Sequence, residues 1–251
     1  MTTPSDEGLL FEVPTPIEQL LRLAGQCTRH DDAIDVLLST GAAADSVAHA
    51  ASARTLAHDT HAALRAIRDR RLNSSIELAH AQIRLRQLAC LSAVSADYDP
   101  AAAREPTALA TDTVMDGAGV VARQMMRRDP TDQRAPAARL TPIQHSALEQ
   151  IARGHVVANS SLGREYTRSH EPKVSMSTLR SLEAENLAER TPATACPAYH
   201  GGPLQDRVRL TPADIATLAT ILARPAPQQN TSPSATAVPL PAAAPATTKS
   251  R

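Results

Sequence analysis

The sequence predicts a mainly α chain, in which an N-terminal helical hairpin or bundle is joined by a flexible linker to a small α+β domain. Three observations predict it. Before residue 95, apolar residues recur at three- and four-residue spacing over long stretches with few helix breakers. Between Ser95 and Arg139 the chain is interrupted by Pro100, Pro106, Pro130 and Pro136. Beyond Leu140, two Thr-Pro helix starts bracket a strand-like run, Asp206–Leu210, of alternating charged and apolar side chains. With 251 residues and 42% apolar composition there is room for a core in each of two small domains. No Trp, one Phe and three Tyr leave Leu, Ile, Val and Ala to build those cores, which favours packed helices over aromatic-rich sheets or pockets.

Taken in order, residues 1–14 are expected to be disordered. Thr15-Pro16-Ile17-Glu18 is a capping pattern, and Ile17, Leu20, Leu21 and Ala24 give the helix behind it an apolar face. A second short helix is expected to hold Ile34, Val36, Leu37 and Leu38 before Gly41. From Ala42 to Val94 the only plausible turn is Asn73-Ser74-Ser75, so a helical hairpin follows and the bundle spans 15–95. In its later arm, Ile76, Ala79, Ile83, Cys90 and Val94 keep a coiled-coil-like spacing, while Leu78, Leu85, Leu88 and Leu91 widen the apolar surface. Two apolar faces need two partners. The preceding helix is one, and a second copy of the chain is the expected other, which makes a homodimer through the N-terminal helices; the alternative is a compact monomeric bundle.

Residues 96–139 read as a flexible linker with a short amphipathic helix at 114–128, carrying Val120, Val121, Met125 and Met126 despite Gly117 and Gly119. The α+β domain spans 140–224. Thr141-Pro142-Ile143-Gln144 opens a helix with Ile143, Ala147, Leu148 and Ile151 on one side that halts near Gly154. A further helix is expected from about Ser175 to Glu189. At about 100° per residue, Leu179, Leu182 and Leu187 share an inward arc, and Ser177, Ser181, Ala184 and Glu185 share the opposite one. A glycine-tipped loop containing Gly201-Gly202, the Asp206–Leu210 strand and a helix capped by Thr211 and started by Pro212 complete it, the last helix burying Ile215, Leu218 and Leu222. The Pro- and Ala-rich tail, 225–251, is expected to be disordered.

Ser177-Thr178-Leu179-Arg180-Ser181-Leu182-Glu183-Ala184-Glu185-Asn186-Leu187-Ala188-Glu189-Arg190, followed by Asp206-Arg207-Val208-Arg209-Leu210-Thr211-Pro212, resembles the MarR-type winged helix-turn-helix family over about a fifth of the chain. The resemblance implies a recognition helix at 175–189 lying in the DNA major groove, and a wing at 191–210 whose Asp-Arg pair reaches the minor groove or its phosphates. It gives contact roles to Ser177, Thr178, Arg180, Ser181 and Arg207, and Lys173 joins them as a neighbouring cation. One departure is plain. The family places a helix ahead of the recognition helix, whereas Gly163 and Pro172 interrupt His155–Lys173, and Val156-Val157 and Tyr166 equally suit a short extra hairpin.

Function follows from that resemblance: a double-stranded-DNA-binding transcriptional regulator. The alternative is a protein-interaction or scaffold module that uses the same fold without DNA. With 26 basic and 26 acidic residues there is no overall field toward nucleic acid, so binding must use a local patch. Phosphate-loop, dinucleotide and nucleophile-elbow motifs are absent, so no enzyme is expected. A single Glu77-x-x-His80 unit and the His58/His61 pair fall short of a di-iron carboxylate set, so neither metal nor cofactor is expected. Arg65, Arg68, Arg70 and Arg71 form a basic cluster at the hairpin turn, read either as a phosphate contact or as a solvated face. Three dispersed cysteines read as free thiols. Acidic Asp6 and Glu7 in place of a leader, and no apolar run near the roughly 20 residues of a span, predict a cytoplasmic location and no membrane contact.

Overall fold

The computed structural model describes residues 14–41, 46–128, 140–161 and 163–223. The expectations of disorder at 1–14 and 225–251 fall almost wholly outside them. The described chain is mainly helical, with one small antiparallel sheet of four strands in its C-terminal part.

Helix α1 (Pro16–Thr40) starts at a complete capping box: the Thr15 hydroxyl accepts from the Glu18 N–H at 3.2 Å, and the Glu18 carboxylate accepts from the Thr15 N–H at 2.8 Å. It ends on Gly41 in the left-handed region at φ 62°. The two helices expected at 15–24 and 34–38 are therefore one. Gly25 weakens a helix by about 1 kcal/mol, but Leu23, Ala24, Cys27, His30, Asp32 and Ile34 are all buried, and packing outweighs that cost. Helices α2 (Ser46–Asp69) and α3 (Ile76–Ser95) form the expected hairpin, with Ser75 capping α3. Leu78, Leu85 and Leu88 point inward while Ile76, Ile83, Leu91 and Val94 remain exposed.

Of the linker expected at 96–139, the segment 96–128 is not a spacer, and 129–139 lies outside the described residues. Asp99 caps α4 (Pro100–Thr107) by accepting from the Ala101 and Ala102 N–H groups, and Pro100 occupies the first turn, where its missing N–H costs nothing. Helix α5 (Ala110–Arg128) starts earlier than 114 and packs against α1 and α3, burying Val114, Met115, Ala118, Val121 and Ala122. Gly117, which counted against a helix in the sequence, faces Leu85; a Cβ there would meet the Leu85 side chain at 3.6 Å.

The C-terminal part runs α6 (Pro142–Ala152), β1 (Val157–Ser161), β2 (Arg164–Arg168), α7 (Met176–Ala184), β3 (Ala188–Ala195), β4 (Gln205–Leu210) and α8 (Pro212–Leu222), with strand order β2-β1-β4-β3. Of the two readings of residues 155–173, the hairpin is the one present. Helix α7 ends at Ala184, short of the expected Glu189, because Asn186 turns left-handed at φ 56° and Ala188 already pairs with Leu210. One face of the sheet, through Val156, Ala158 and Val208, joins Leu148, Leu179, Leu182 and Leu218 in the core.

The other face meets α1. Strand alternation puts Val208 inward and therefore Arg207 and Arg209 on the opposite side. There both guanidinium groups bind the buried Asp32 carboxylate: Arg207 Nε donates at 3.1 Å and Arg209 Nη2 at 3.1 Å. Arg207 Nη1 also donates to the Gly154 carbonyl. Gly154 sits at φ 71°, and a Cβ on it would lie 2.7 Å from the Thr28 side chain, so only glycine lets α1 come this close. Arg153 adds ion pairs to Asp112 at 2.8 Å and Asp116 at 3.0 Å on α5. One hydrophobic cluster runs through both parts, so the helices and the sheet are a single packed body.

Asp32 is 3% exposed, so Asp32→Ala strands two buried cations and is expected to cost about 3–5 kcal/mol in urea unfolding; a loss below about 1 kcal/mol would mean the cluster is solvated. A second prediction concerns Asp214, which is fully buried at the start of α8 and whose carboxyl burial pushes up from 3.8 to about 7. Across that interval the folded state keeps a proton that the unfolded state releases, so this group weakens folding progressively as pH rises from about 4 to about 7. Asp214→Asn is expected to gain stability over the native chain through that window; parallel stability-pH curves would refute the assignment.

Candidate nucleic-acid interface

The Ser175 hydroxyl caps α7 by accepting from the Thr178 N–H at 3.1 Å, and lies 2.8 Å from both the Ser177 and Thr178 hydroxyls. Leu179 and Leu182 are completely buried and Leu187 nearly so, as their spacing predicts. That fixes the rotation of the helix. Ser177, Arg180, Ala184 and Glu185 are exposed, with Thr178 and Ser181 half-buried. Ser177 and Thr178 are gathered around the cap, so their hydroxyls form a small polar group at the helix N-terminus.

Ser181 is less free than expected. Gln144 on α6 donates to its hydroxyl at 3.2 Å and to Glu185 at 3.1 Å, and Ser181 itself donates to Glu185 at 3.2 Å. This polar clasp lies between α6 and α7. Arg180, largely exposed, donates to Glu165 on β2 at 3.0 Å. Glu165 also accepts from Arg190 at 3.0 Å, while Arg190 grips Glu183 with Nε and Nη2. Hydrogen bonds from Arg180 and Arg190 hold the Glu165 carboxyl below its usual range, and the grip of Glu183 raises the Arg190 guanidinium. A bridging carboxylate thus ties β2, α7 and β3 together. Lys173 is exposed in the loop two residues before the Ser175 cap.

Arg207 is the correction. The family resemblance gives it a DNA contact in the wing, yet its side chain is 14% exposed and held by Asp32 and the Gly154 carbonyl on the face turned toward α1. The alternation that marks Asp206–Leu210 as a strand already separates Arg207 from Val208; what the sequence hides is that α1 covers the second face. The loop between β3 and β4 contains Gly201 at φ 74° and exposed Tyr199 and His200, and no Lys or Arg lies between Thr191 and Asp206. Exposed cations preceding α7 lie on the β1–β2 hairpin and the loop after it: Arg164, Arg168 and Lys173. On β2, Arg164 and Arg168 alternate with Glu165 and Thr167, so they project from the face opposite the one that meets Arg180.

Asp32, Glu165 and Gln144 are the contributors that sequence reasoning missed. Each acts across 15 or more residues of chain, and only the capping signal at Thr141-Gln144 singled out any of them. Glu77, His80, His58 and His61 are not drawn together: among the described residues no group of three or more His, Cys, Asp or Glu side chains could hold a metal ion. Cys27 is buried and its thiol is pushed up to about 12 by burial, while Cys90 and Cys196 are exposed; all three are free. Among the described residues no helix is long and apolar enough to cross a membrane. The chain matches no protein-family model, no curated protein and no solved structure.

The two arginines separate structural from surface roles. Arg207→Met is expected to lower the urea midpoint clearly by leaving Asp32 half-paired, whereas Arg180→Met, at an exposed ion pair, leaves the midpoint nearly unchanged. Equal effects would contradict the assignment.

Proposed function

We propose that the protein binds double-stranded DNA through the outward face of α7 and acts as a transcriptional regulator. In this reading the C-terminal part is a winged-helix variant: α6, α7 and α8 are its helices, β3 and β4 its wing, and the β1–β2 hairpin stands where the family has a helix. One observation carries the proposal. Complete burial of Leu179 and Leu182 fixes a rotation of α7 that leaves Ser177, Arg180 and Ala184 uncovered. Short hydroxyls and an arginine on an exposed helix face are the groups that approach base edges and phosphates. Arg180 exchanges Glu165 for a phosphate on binding, and Lys173 adds a second cation. Arg207 acts as a buried strut rather than a contact.

Pairing of two copies through the exposed Ile76, Ile83, Cys90 and Val94 stripe on α3 presents two α7 helices to half-sites about one turn of duplex apart. A scaffold role without DNA has its own supporting observation: Arg190 and Arg207 are engaged within the chain, and glutamates flank α7. Selection of the full chain against a randomised duplex pool, followed by anisotropy titration at low salt, separates the two. Enrichment of a motif, with at least tenfold weaker binding for Ser177→Ala/Arg180→Ala, is expected, equivalent to about 1.4 kcal/mol. No enrichment, or binding indifferent to both substitutions, would move the assignment to protein docking.

A further inference from the structure

At the α2–α3 turn, arginines from two distant segments converge. Arg65, Arg68, Arg70 and Arg71 come from the end of α2 and the turn itself, and Arg127 and Arg128 from the last turn of α5. Arg128 Nη1 donates to the carbonyls of both Arg70 and Arg71, the latter at 2.9 Å, which fastens the end of α5 to the turn. Arg123, one turn back on α5, is close enough to act with Arg127 on the Glu77 carboxyl. All seven are exposed, and none is ion-paired among the described residues. Four arginines elsewhere are neutralised within the chain: Arg104 with Asp35, Arg153 with Asp112, Arg190 with Glu183 and Arg207 with Asp32.

Favourable placement at helix ends does not account for the cluster. Two helix C-termini, of α2 and α5, supply about one unit of negative charge between them, and the nearby carboxylates are Asp69 and Glu77. Among the described residues, seven cations against two carboxylates and that one unit leave an excess of about four, or about three once Asp129, next to Arg128 in sequence, is counted, in a chain whose formal charge is zero. Arg71, moreover, stands at φ 47°, a conformation a glycine would take more easily. Along α2, Arg65 and Arg68 share an outward stripe with His58, His61 and Arg54, the last of which pairs with Asp97 at 3.6 Å. From Arg54 to Arg68 that line is about 21 Å long at 1.5 Å per residue. An elongated, rigid surface on a helix whose apolar side, Leu56, Ala63, Leu64 and Ile67, is buried in the bundle fits a linear polyanion better than a bilayer, which an interfacial helix enters through its apolar side.

We propose that this arginine-rich end of the helical part is a second nucleic-acid contact, gripping the phosphates of duplex DNA without regard to sequence. It extends the DNA-binding reading of α7 but uses none of its residues, so the two fail separately. The test uses the full chain and a fluorescent 30-base-pair duplex of arbitrary sequence, titrated at several KCl concentrations. Arg68→Gln/Arg70→Gln/Arg127→Gln removes exposed charges and leaves Arg128 holding the turn. Loss of three phosphate contacts is expected to shrink the slope of log affinity against log salt by roughly 2.7, at about 0.9 per contact, for every sequence tried. Ser177→Ala is expected to leave that slope alone and to alter only sequence preference. If the triple variant, with an unchanged unfolding midpoint, keeps the native slope, or if native protein does not bind duplex at 50 mM KCl, the proposal is overturned. It is overturned too if phosphatidylserine vesicles take up native protein in an arginine-dependent way while duplex does not. A diminished slope in the triple variant, together with a sequence preference that Ser177→Ala does not alter, would uphold this contact and remove the one on α7.

Discussion

A single buried carboxylate decides how this chain is put together. Asp32 holds Arg207 and Arg209, and it can do so only where α1 lies across the back of the sheet. Two guanidinium groups on one aspartate leave the cluster with net positive charge, and burial lowers the Arg209 guanidinium below its usual range despite the Asp32 partner. Among the described residues Arg209 Nε and Nη1 are buried without a protein acceptor, and Arg209 lines a cavity of about 220 Å³ between α1, β4 and α8. Removing Asp32 is therefore a different perturbation from replacing the whole cluster by apolar side chains: the first leaves uncompensated charge, while the second is often neutral. The contact specifies an orientation more than it adds stability. Around it, Gly154 admits Thr28, and Arg153 reaches α5, so the same seam is stitched at three points.

Local signals were legible and distant ones were not. The caps at Thr15, Thr141 and Thr211 are written within four residues of chain, and all three start the helices they announce, while Ser75, read only as part of a turn, caps α3. The inward leucines of α7 follow from angular spacing alone. By contrast, the continuity of α1 depends on burial of His30, Asp32 and Ile34 by helices far along the chain, and a polar stretch such as Arg29-His30-Asp31-Asp32 looks like a break until those partners are known. Likewise α5 looked like a weak helix because of Gly117 and Gly119. That helix is held by packing, with Gly117 facing Leu85.

The candidate site divides along the same line. Which face of α7 is open was readable from periodicity, and Ser177 and Arg180 stand where that reading puts them. Which cations remain available was not readable, because charge pairing is a tertiary matter. Arg190 and Arg207 both belong to a basic patch when seen in sequence, yet one is clamped by Glu183 and Glu165 and the other by Asp32. Counting basic residues near a proposed reading helix overstates its field whenever carboxylates from other elements reach them. The useful quantity is the number of guanidinium and ammonium groups left unpaired after folding, and on that measure the surface around α7 is weaker, and the end of the helical part stronger, than the sequence suggests.

Direct packing of the helical part against the sheet bears on the proposed DNA recognition. A chain of two domains on a flexible linker presents its reading helix with adjustable reach, so paired copies tolerate a range of half-site separations. Here α1 runs through the core of the helical part and is bound directly to β4, and α5 is bound to α6 by Arg153. The exposed stripe on α3 and the outward face of α7 are consequently fixed relative to one another. If two copies meet on α3, the distance between their α7 helices is set by the Asp32 seam rather than by the DNA, and duplex sites with other spacings must be bent or twisted at an energetic cost to fit. Loosening the seam then relaxes spacing selectivity before it affects the contacts that any one α7 makes, which ties a buried aspartate in the first helix to the choice of site by a helix 140 or more residues away.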